Sequence, residues 1–293
     1  MSLTPNIQSI LKSASQQLAA QIADSTSAAF EAQLLLTHLL KQNRAWLIAH
    51  GNETLTPSNH ADFEALLHRR LLGEPIAYIL GNREFYGLDL MVTPNTLIPR
   101  PDTEILVEAA LAKIELYQQA SVCDLGTGSG AIALAIAKNR PQADVIAVDA
   151  SKAALKVAQS NAENLNLTNI EFVLSNWFEN LNNHRFDVIV SNPPYIEEND
   201  AHLTQGDLRF EPLSALASGA DGLNDIRQIV NDCLIYLKPQ GWLMLEHGYN
   251  QAEQVANLMA DAGLTNIETM QDLGSNDRVT IGKNPLIVST HWD

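Results

Sequence analysis

From Ser121 onward, short apolar runs alternate with segments long enough to be helices, and few folds accept that order. The strand candidates are Ser121–Leu125, Val145–Asp149, Ile170–Leu174, Phe186–Ser191, Trp242–Glu246, Ile267–Met270 and Arg278–Ile281. Helices fit between them at 131–139, 151–164, 225–237 and 251–262. Strand, helix and strand in repetition predict a parallel, doubly wound α/β sheet, whose ligands sit at the carboxyl ends of the strands.

The chain ahead of this pattern differs. Residues 1–73 show no alternation of period two and are expected to form a small helical domain. Phe30, Leu34 and His38, with Leu35 and Leu39, set out a stripe of helical period after the possible caps Ser25, Thr26 and Ser27. Thr56-Pro57 or Ser58 starts a second helix through Leu66, Leu67, Arg69 and Arg70. Across 74–100, glycines and prolines punctuate short apolar pieces such as Glu84-Phe85-Tyr86 and Leu90-Met91-Val92, which suggests a β-hairpin linker. Pro101-Asp102 suits the first turn of a helix reaching about Gln118 and opening a catalytic domain over 101–293.

Val122-Cys123-Asp124-Leu125 runs into Gly126-Thr127-Gly128-Ser129-Gly130, a strand followed by a glycine turn and a helix start. Such glycines let backbone approach a ligand closely. Asp149 closes the next strand, where a carboxylate can accept both hydroxyls of a ribose. Gly126, Gly128 and Ala131 also satisfy the dinucleotide pattern G-x-G-x-x-G/A, so a nicotinamide cofactor competes. Asp124 favours S-adenosylmethionine, because a carboxylate suits the amino-acid end of that ligand and would repel a pyrophosphate. Asn176-Trp177 follows the third strand, in the loop that lies beside an adenine in such folds. Trp177 either stacks on the base or covers a core edge.

The fourth strand, Phe186–Ser191, leads straight into Asn192-Pro193-Pro194-Tyr195. Two prolines fix the backbone and remove two N–H donors, leaving carbonyl acceptors exposed. The Asn192 side-chain oxygen and the Pro193 carbonyl can accept the two hydrogens of a planar NH2 group, with Tyr195 flat against its plane. An amide or exocyclic amine nitrogen is a poor nucleophile, and accepting its hydrogens enriches it in electron density. Positioning of this kind supplies roughly 7–11 kcal/mol of barrier reduction. N-methylation needs no metal and no strong base. The tetrapeptide leaves base and amide acceptors both open.

Charge separates them. The chain carries −16, and only −1 of it lies in residues 1–101, where 7 Lys and Arg face 8 Asp and Glu. The acidic remainder repels phosphate at long range, which counts against an adenine or guanine acceptor in a nucleic acid. Cys123 and Cys233 lack disulfide or metal spacing. No secretory signal and no membrane-length apolar run is read in the sequence, so a soluble cytoplasmic protein, a monomer by default, is expected.

A series of further segments carries a resemblance along nearly the whole chain. Gly73-Glu74-Pro75-Ile76-Ala77-Tyr78-Ile79, Glu84–Gly87 and Leu97-Ile98-Pro99-Arg100-Pro101-Asp102-Thr103-Glu104 precede the glycine loop. Asn192–Ile196, Phe210-Glu211-Pro212, Asp221-Gly222-Leu223 and Asp277-Arg278-Val279 follow it. In these the sequence resembles the release-factor glutamine N5-methyltransferases, the PrmC/HemK family. The resemblance implies a Rossmann-like class I methyltransferase fold with a seven-stranded mixed, mostly parallel sheet. It implies S-adenosylmethionine held by Asp124, Gly126, Thr127, Gly128, Ser129, Gly130, Asp149, Trp177 and Asn192. It further implies that Asn192, Pro193, Pro194 and Tyr195 hold the glutamine of the Gly-Gly-Gln motif of class I peptide chain release factors, which the N-terminal helices help dock. Asp102, His247 and Gly274-Ser275-Asn276 depart from the family pattern. The roles of Arg100, Glu104 and Glu246 are not fixed by it.

Overall fold

Helix signals at the start of the chain are mostly local, and they are obeyed. The computed structural model describes residues 5–20, 25–116 and 119–286, which form two compact units, one through Gly81 and one from Asn82. In the first, α1 (Ile7–Ala19) is capped by Asn6, whose side chain accepts from the Ser9 N–H at 2.9 Å. Asn43 caps α3 (Arg44–Ala49) in the same manner, and Thr56 caps α4 (Pro57–Leu71), with Pro57 in its first turn. Ser25 and Thr26, expected as caps of α2 (Ser25–Leu40), have side chains outside the described residues.

The buried face of α2 shares only Leu35 with the expected stripe. Ala28, Ala32, Leu35 and Leu36 are fully buried, while Phe30 is 50% exposed and Leu34, His38 and Leu39 are half-buried. α1 and α2 lie in close contact, and small residues in their shared core (Ala14, Ala28, Ala32) permit that approach. Side-chain size misled the pattern; backbone proximity chose the face. Phe63, Leu67, Leu47 and Ile79 complete this core, and Glu31 pairs with Arg70 at 2.7 Å. The unit extends to α5 (Ile76–Leu80), so these residues belong with the helices and not with the hairpin.

The hairpin opens the second unit. β1 (Asn82–Phe85) and β2 (Leu88–Met91) pair antiparallel around Tyr86-Gly87. Both turn residues have positive φ (50° and 76°), the arrangement of a type I′ turn. β2 is tied to α8 (Lys152–Asn164) by Asn161, whose amide accepts from the Met91 N–H at 2.7 Å and donates to the Met91 carbonyl at 3.0 Å. Pro101–Thr103 forms a 3₁₀ turn, and α6 (Glu104–Lys113) stops short of the expected end at Gln118, which lies outside the described residues.

The remaining strands form one seven-stranded sheet in the order β5-β4-β3-β6-β7-β9-β8. They are β3 (Ser121–Leu125), β4 (Asp144–Asp149), β5 (Ile170–Leu174), β6 (Phe186–Ser191), β7 (Leu237–Glu246), β8 (Thr265–Gln271) and β9 (Asp277–Lys283). β9 alone runs against its neighbours, so the sheet is mixed and mostly parallel, as the resemblance implies. Successive strand residues feed opposite cores. Val122, Val188 and Val190 join α6 and α7 (Ala131–Asn139) on one face; Cys123, Leu125 and Ile189 join α9 (Asn224–Tyr236) and α10 (Ala252–Asp261) on the other. Cys123 is thus a buried core residue. Among the described residues no helix is long and apolar enough to cross a membrane.

Candidate active site

Strand order reverses between β3 and β6, and a crevice opens at the carboxyl ends of strands flanking such a switch. A cavity of about 420 Å³ lies there. It gathers Gly126, Thr127, Gly128 and Ser129 from the first loop, Asp149 from the end of β4, Trp177 from beyond β5, and Asn192 and Pro194 from beyond β6. These came from four separate segments of sequence. Asp124, Gly130, Pro193 and Tyr195 do not line it.

Asp124 lies beneath the loop, fully buried. Its Oδ2 accepts from the Thr127 hydroxyl at 2.6 Å and the Ala133 N–H at 3.2 Å, while Oδ1 is buried without a partner. Burial pushes this carboxyl up to about 7, against those two hydrogen bonds. In this structure it therefore holds the loop to the first turn of α7. Gly130, at the head of that helix, packs against Leu134 and Ala158.

The cavity surface suits a nucleoside. Asp149 Oδ2 accepts from the Gly128 N–H at 2.9 Å and Oδ1 from the Ser151 N–H at 2.7 Å, which leaves each oxygen a lone pair for a further donor. Burial raises this carboxyl, and the two N–H donors oppose the rise. A Cβ added to Gly128 would meet nothing within 4 Å, so bare backbone faces open space where a ligand can approach. The Trp177 ring lies against Gly126, with φ of 46° at Trp177. Ser175 fixes this turn by donating from its hydroxyl to the Trp177 carbonyl at 2.9 Å and accepting from the Asn180 N–H at 2.9 Å. Trp177 both lines the cavity and packs on the core.

Beyond β6, the Ser191 hydroxyl donates to the Leu125 carbonyl at 2.7 Å and pins this strand end to β3. Asn192 Nδ2 donates to the Thr103 hydroxyl oxygen at 3.2 Å, and no hydrogen bond to its Oδ1 is formed among the described residues. Pro193 is buried. Tyr195 turns its ring inward, donates from its hydroxyl to Glu246 Oε1 at 3.3 Å, and is pushed up by burial and that carboxylate. Its backbone carbonyl accepts from Gln251 Nε2 at 3.0 Å, and Tyr195 and Ile196 both donate N–H to the Leu216 carbonyl.

Several supports escaped pattern reasoning. Glu211, buried, accepts from the Ile98 N–H at 3.0 Å and pairs with Arg100, which lines the cavity. Thr103, largely buried but lining the cavity, accepts from Asn192, and the buried Glu246 accepts from Tyr195. Glu104 accepts from the Tyr86 N–H at 3.1 Å and so binds the hairpin to α6. Each of these segments was visible in the sequence, and nothing there paired them.

Known proteins agree with this architecture. A family model described as a methyltransferase domain matches residues 117–281, and one described as the PrmC N-terminal domain matches residues 9–81. A methyltransferase from Pyrococcus furiosus shares the fold, with a TM-score of 0.53 at 17% identity over 75% of this chain and 98% of that one. A release factor glutamine methyltransferase of Xylella fastidiosa is 51% identical, over 87% of this chain and 93% of the relative. The protein of that name in Aliivibrio fischeri is 46% identical over 95% and 97% of the two chains, and that in Escherichia coli is 47% identical over 90% and 95%. With this identity over nearly the whole length of both chains, the protein belongs to the release factor glutamine methyltransferase family.

Proposed function

We propose that the protein methylates the side-chain nitrogen (N5) of the glutamine in the Gly-Gly-Gln motif of class I peptide chain release factors, with S-adenosylmethionine as donor. The observation that carries this reading is the orientation of Asn192. Its amide nitrogen is engaged by Thr103, which leaves Oδ1 to accept a hydrogen from an acceptor NH2 group at the cavity. The names of the relatives support a glutamine as that acceptor.

The cofactor, when bound, supplies an electrophilic methyl group. Asp149 and the Gly126–Ser129 backbone would hold its nucleoside, and Trp177 its adenine. Asn192 Oδ1 accepts a hydrogen of the acceptor and aims its lone pair, and Pro194 forms the adjoining wall. Tyr195 serves as the anchor of this turn through Glu246. The N-terminal helices contribute to docking the protein substrate. The same reading makes the protein a cytoplasmic monomer acting on a protein and not on nucleic acid.

Intact-mass analysis of a release factor incubated with enzyme and S-adenosylmethionine should show one added methyl, mapped to the Gly-Gly-Gln peptide. Changing that glutamine should remove it. Persistent labelling at another site, or incorporation into a nucleic acid instead, would overturn the assignment.

A further inference from the structure

Two consecutive prolines with fixed φ make Asn192-Pro193-Pro194-Tyr195 a stiff piece of chain, so its placement is set mainly at its two ends. One end is β6, pinned to β3 by the Ser191 hydroxyl. The other is the Tyr195 peptide, and two loops close on its carbonyl oxygen. From one side comes Gln251, buried ahead of α10. Its Nε2 donates to the Tyr195 carbonyl at 3.0 Å and to the Asp221 carbonyl at 3.2 Å, while its Oε1 accepts from the Gly248 N–H at 2.8 Å. From the other side comes Gly222, buried and with φ of 73°. A Cβ added there would collide with the Tyr195 carbonyl oxygen and stand 2.8 Å from Gln251 Nε2. Only glycine permits that approach.

We propose that Gln251 and Gly222 are positioning residues, which clamp the Tyr195 peptide and thereby set where Asn192 meets the acceptor nitrogen. This rests on the methyl transfer proposed above. A single carboxamide supplies two donors and an acceptor, which is what two carbonyls and one N–H require of it. The Gln251 side chain thus ties three loops together, those holding Tyr195, Asp221 and Gly248. If the Tyr195 peptide turns, the fixed φ of both prolines leaves few torsions to absorb the change. It passes back to Pro194 and Asn192, which line the cavity. A displacement of about 1 Å at a reacting centre costs on the order of a hundredfold in rate.

Two variants reach the same oxygen from opposite sides. Gln251→Met keeps the side-chain volume and loses all three hydrogen bonds; Gly222→Ala pushes on the Tyr195 carbonyl directly. At saturating S-adenosylmethionine and release factor, each should lower kcat on the order of tenfold to a hundredfold. KM for the release factor, and cofactor affinity by titration calorimetry, should stay within about threefold, because neither residue lines the cavity. Gly263→Ala is the control for stability alone. It strains a backbone with φ of 93° in the turn between α10 and β8, where the nearest atom to the new Cβ is on Leu234 at 3.8 Å. It should keep the wild-type kcat when all variants are assayed at a temperature where circular dichroism shows them folded.

A second readout needs no acceptor. The Tyr195 and Ile196 N–H groups both donate to the Leu216 carbonyl, and their hydrogen exchange by NMR reports how firmly this turn is held. Exchange should quicken in Gln251→Met and Gly222→Ala and stay unchanged in Gly263→Ala. Gln251→Met adds nothing to the backbone and decides the matter by itself should Gly222→Ala not fold. Wild-type kcat in Gln251→Met would overturn the inference, as would unchanged exchange at Tyr195 and Ile196. A raised KM at constant kcat would overturn it too, by making these residues part of docking, and so would an equal loss of kcat in Gly263→Ala. A wild-type enzyme that methylates no release factor would instead overturn the proposed function, and the exchange rates would still decide whether the clamp holds the tetrapeptide.

Discussion

Glu211 reaches across 113 residues of chain to accept the Ile98 N–H at 3.0 Å, and its other oxygen takes the Arg100 guanidinium. Two loops that form one side of the cavity are joined there, Arg100 being 34% exposed and the Glu211 side chain fully buried. Glu211→Ala leaves a buried N–H without an acceptor and a partly buried guanidinium without its counter-charge. Urea denaturation should show a loss of about 2 kcal/mol, discounted for the solvent that reaches Arg100. Glu211→Gln keeps an acceptor for Ile98 and should lose less. Equal stability of Glu211→Ala and the wild type would deny that this pair holds the wall.

Asn161 makes a comparable joint in the frame. Besides both main-chain groups of Met91, it donates to the Ser129 carbonyl at 2.9 Å, so hairpin, α8 and glycine loop meet at one amide. Asn161→Ala removes three hydrogen bonds from a buried site and should cost on the order of 3 kcal/mol. It should also weaken S-adenosylmethionine binding, because the Ser129 backbone loses its tether. A variant destabilised with unchanged cofactor affinity would confine Asn161 to a structural part.

Asp124 predicts a rise in stability on neutralisation. Its folded value near 7 stands above the ordinary 3.8, so the folded state binds a proton that the unfolded chain releases. Folding stability contributed by this group is therefore present at about pH 4 and falls as pH rises towards 7. Asp124→Asn preserves an oxygen for Thr127 and Ala133 and places its NH2 where Oδ1 has no partner. The variant should match the wild type near pH 4 and exceed it by about 1 kcal/mol or more at pH 8. A stability difference that does not change with pH would show that Asp124 is not a buried, strained charge.

The ease with which these elements can be read from sequence varies for physical reasons. β3, β5, β6 and α7 have the expected bounds, because each is an apolar run closed by polar or glycine residues. β7 begins at Leu237, five residues before the expected start at Trp242. Its first part, Lys238-Pro239-Gln240, is polar, and it pairs only through Leu237 opposite Phe186 before a bulge. α5 spans five residues between Pro75 and Gly81, too few to display a period. The cavity residues Gly126–Ser129, Asp149, Trp177 and Asn192 could be read because chain order places each at a strand end. Glu211, Thr103 and Glu246 could not, since a lone polar residue takes its meaning from a partner brought close only by folding.

His247, a departure from the family pattern, supplies the opposite pH sign to Asp124. Its Nδ1 lies 2.9 Å from the Gly248 carbonyl, which can only accept, so Nδ1 carries the proton. Nε2, 2.8 Å from the Thr280 hydroxyl, is then the acceptor of a neutral ring. Burial holds the folded value below 6.5, with Arg278 adding to the effect and the Gly248 carbonyl opposing it. A depressed histidine contributes stability that is fully present above its unfolded value and is lost as pH falls through and below about 6.5. His247→Ile removes this dependence while leaving Thr280 its contact with Thr269 at 2.8 Å. Measured by urea midpoints, the wild type should lose stability relative to His247→Ile between about pH 7.5 and pH 5. A constant difference across that range would mean that His247 is protonated in the fold or free to reach water.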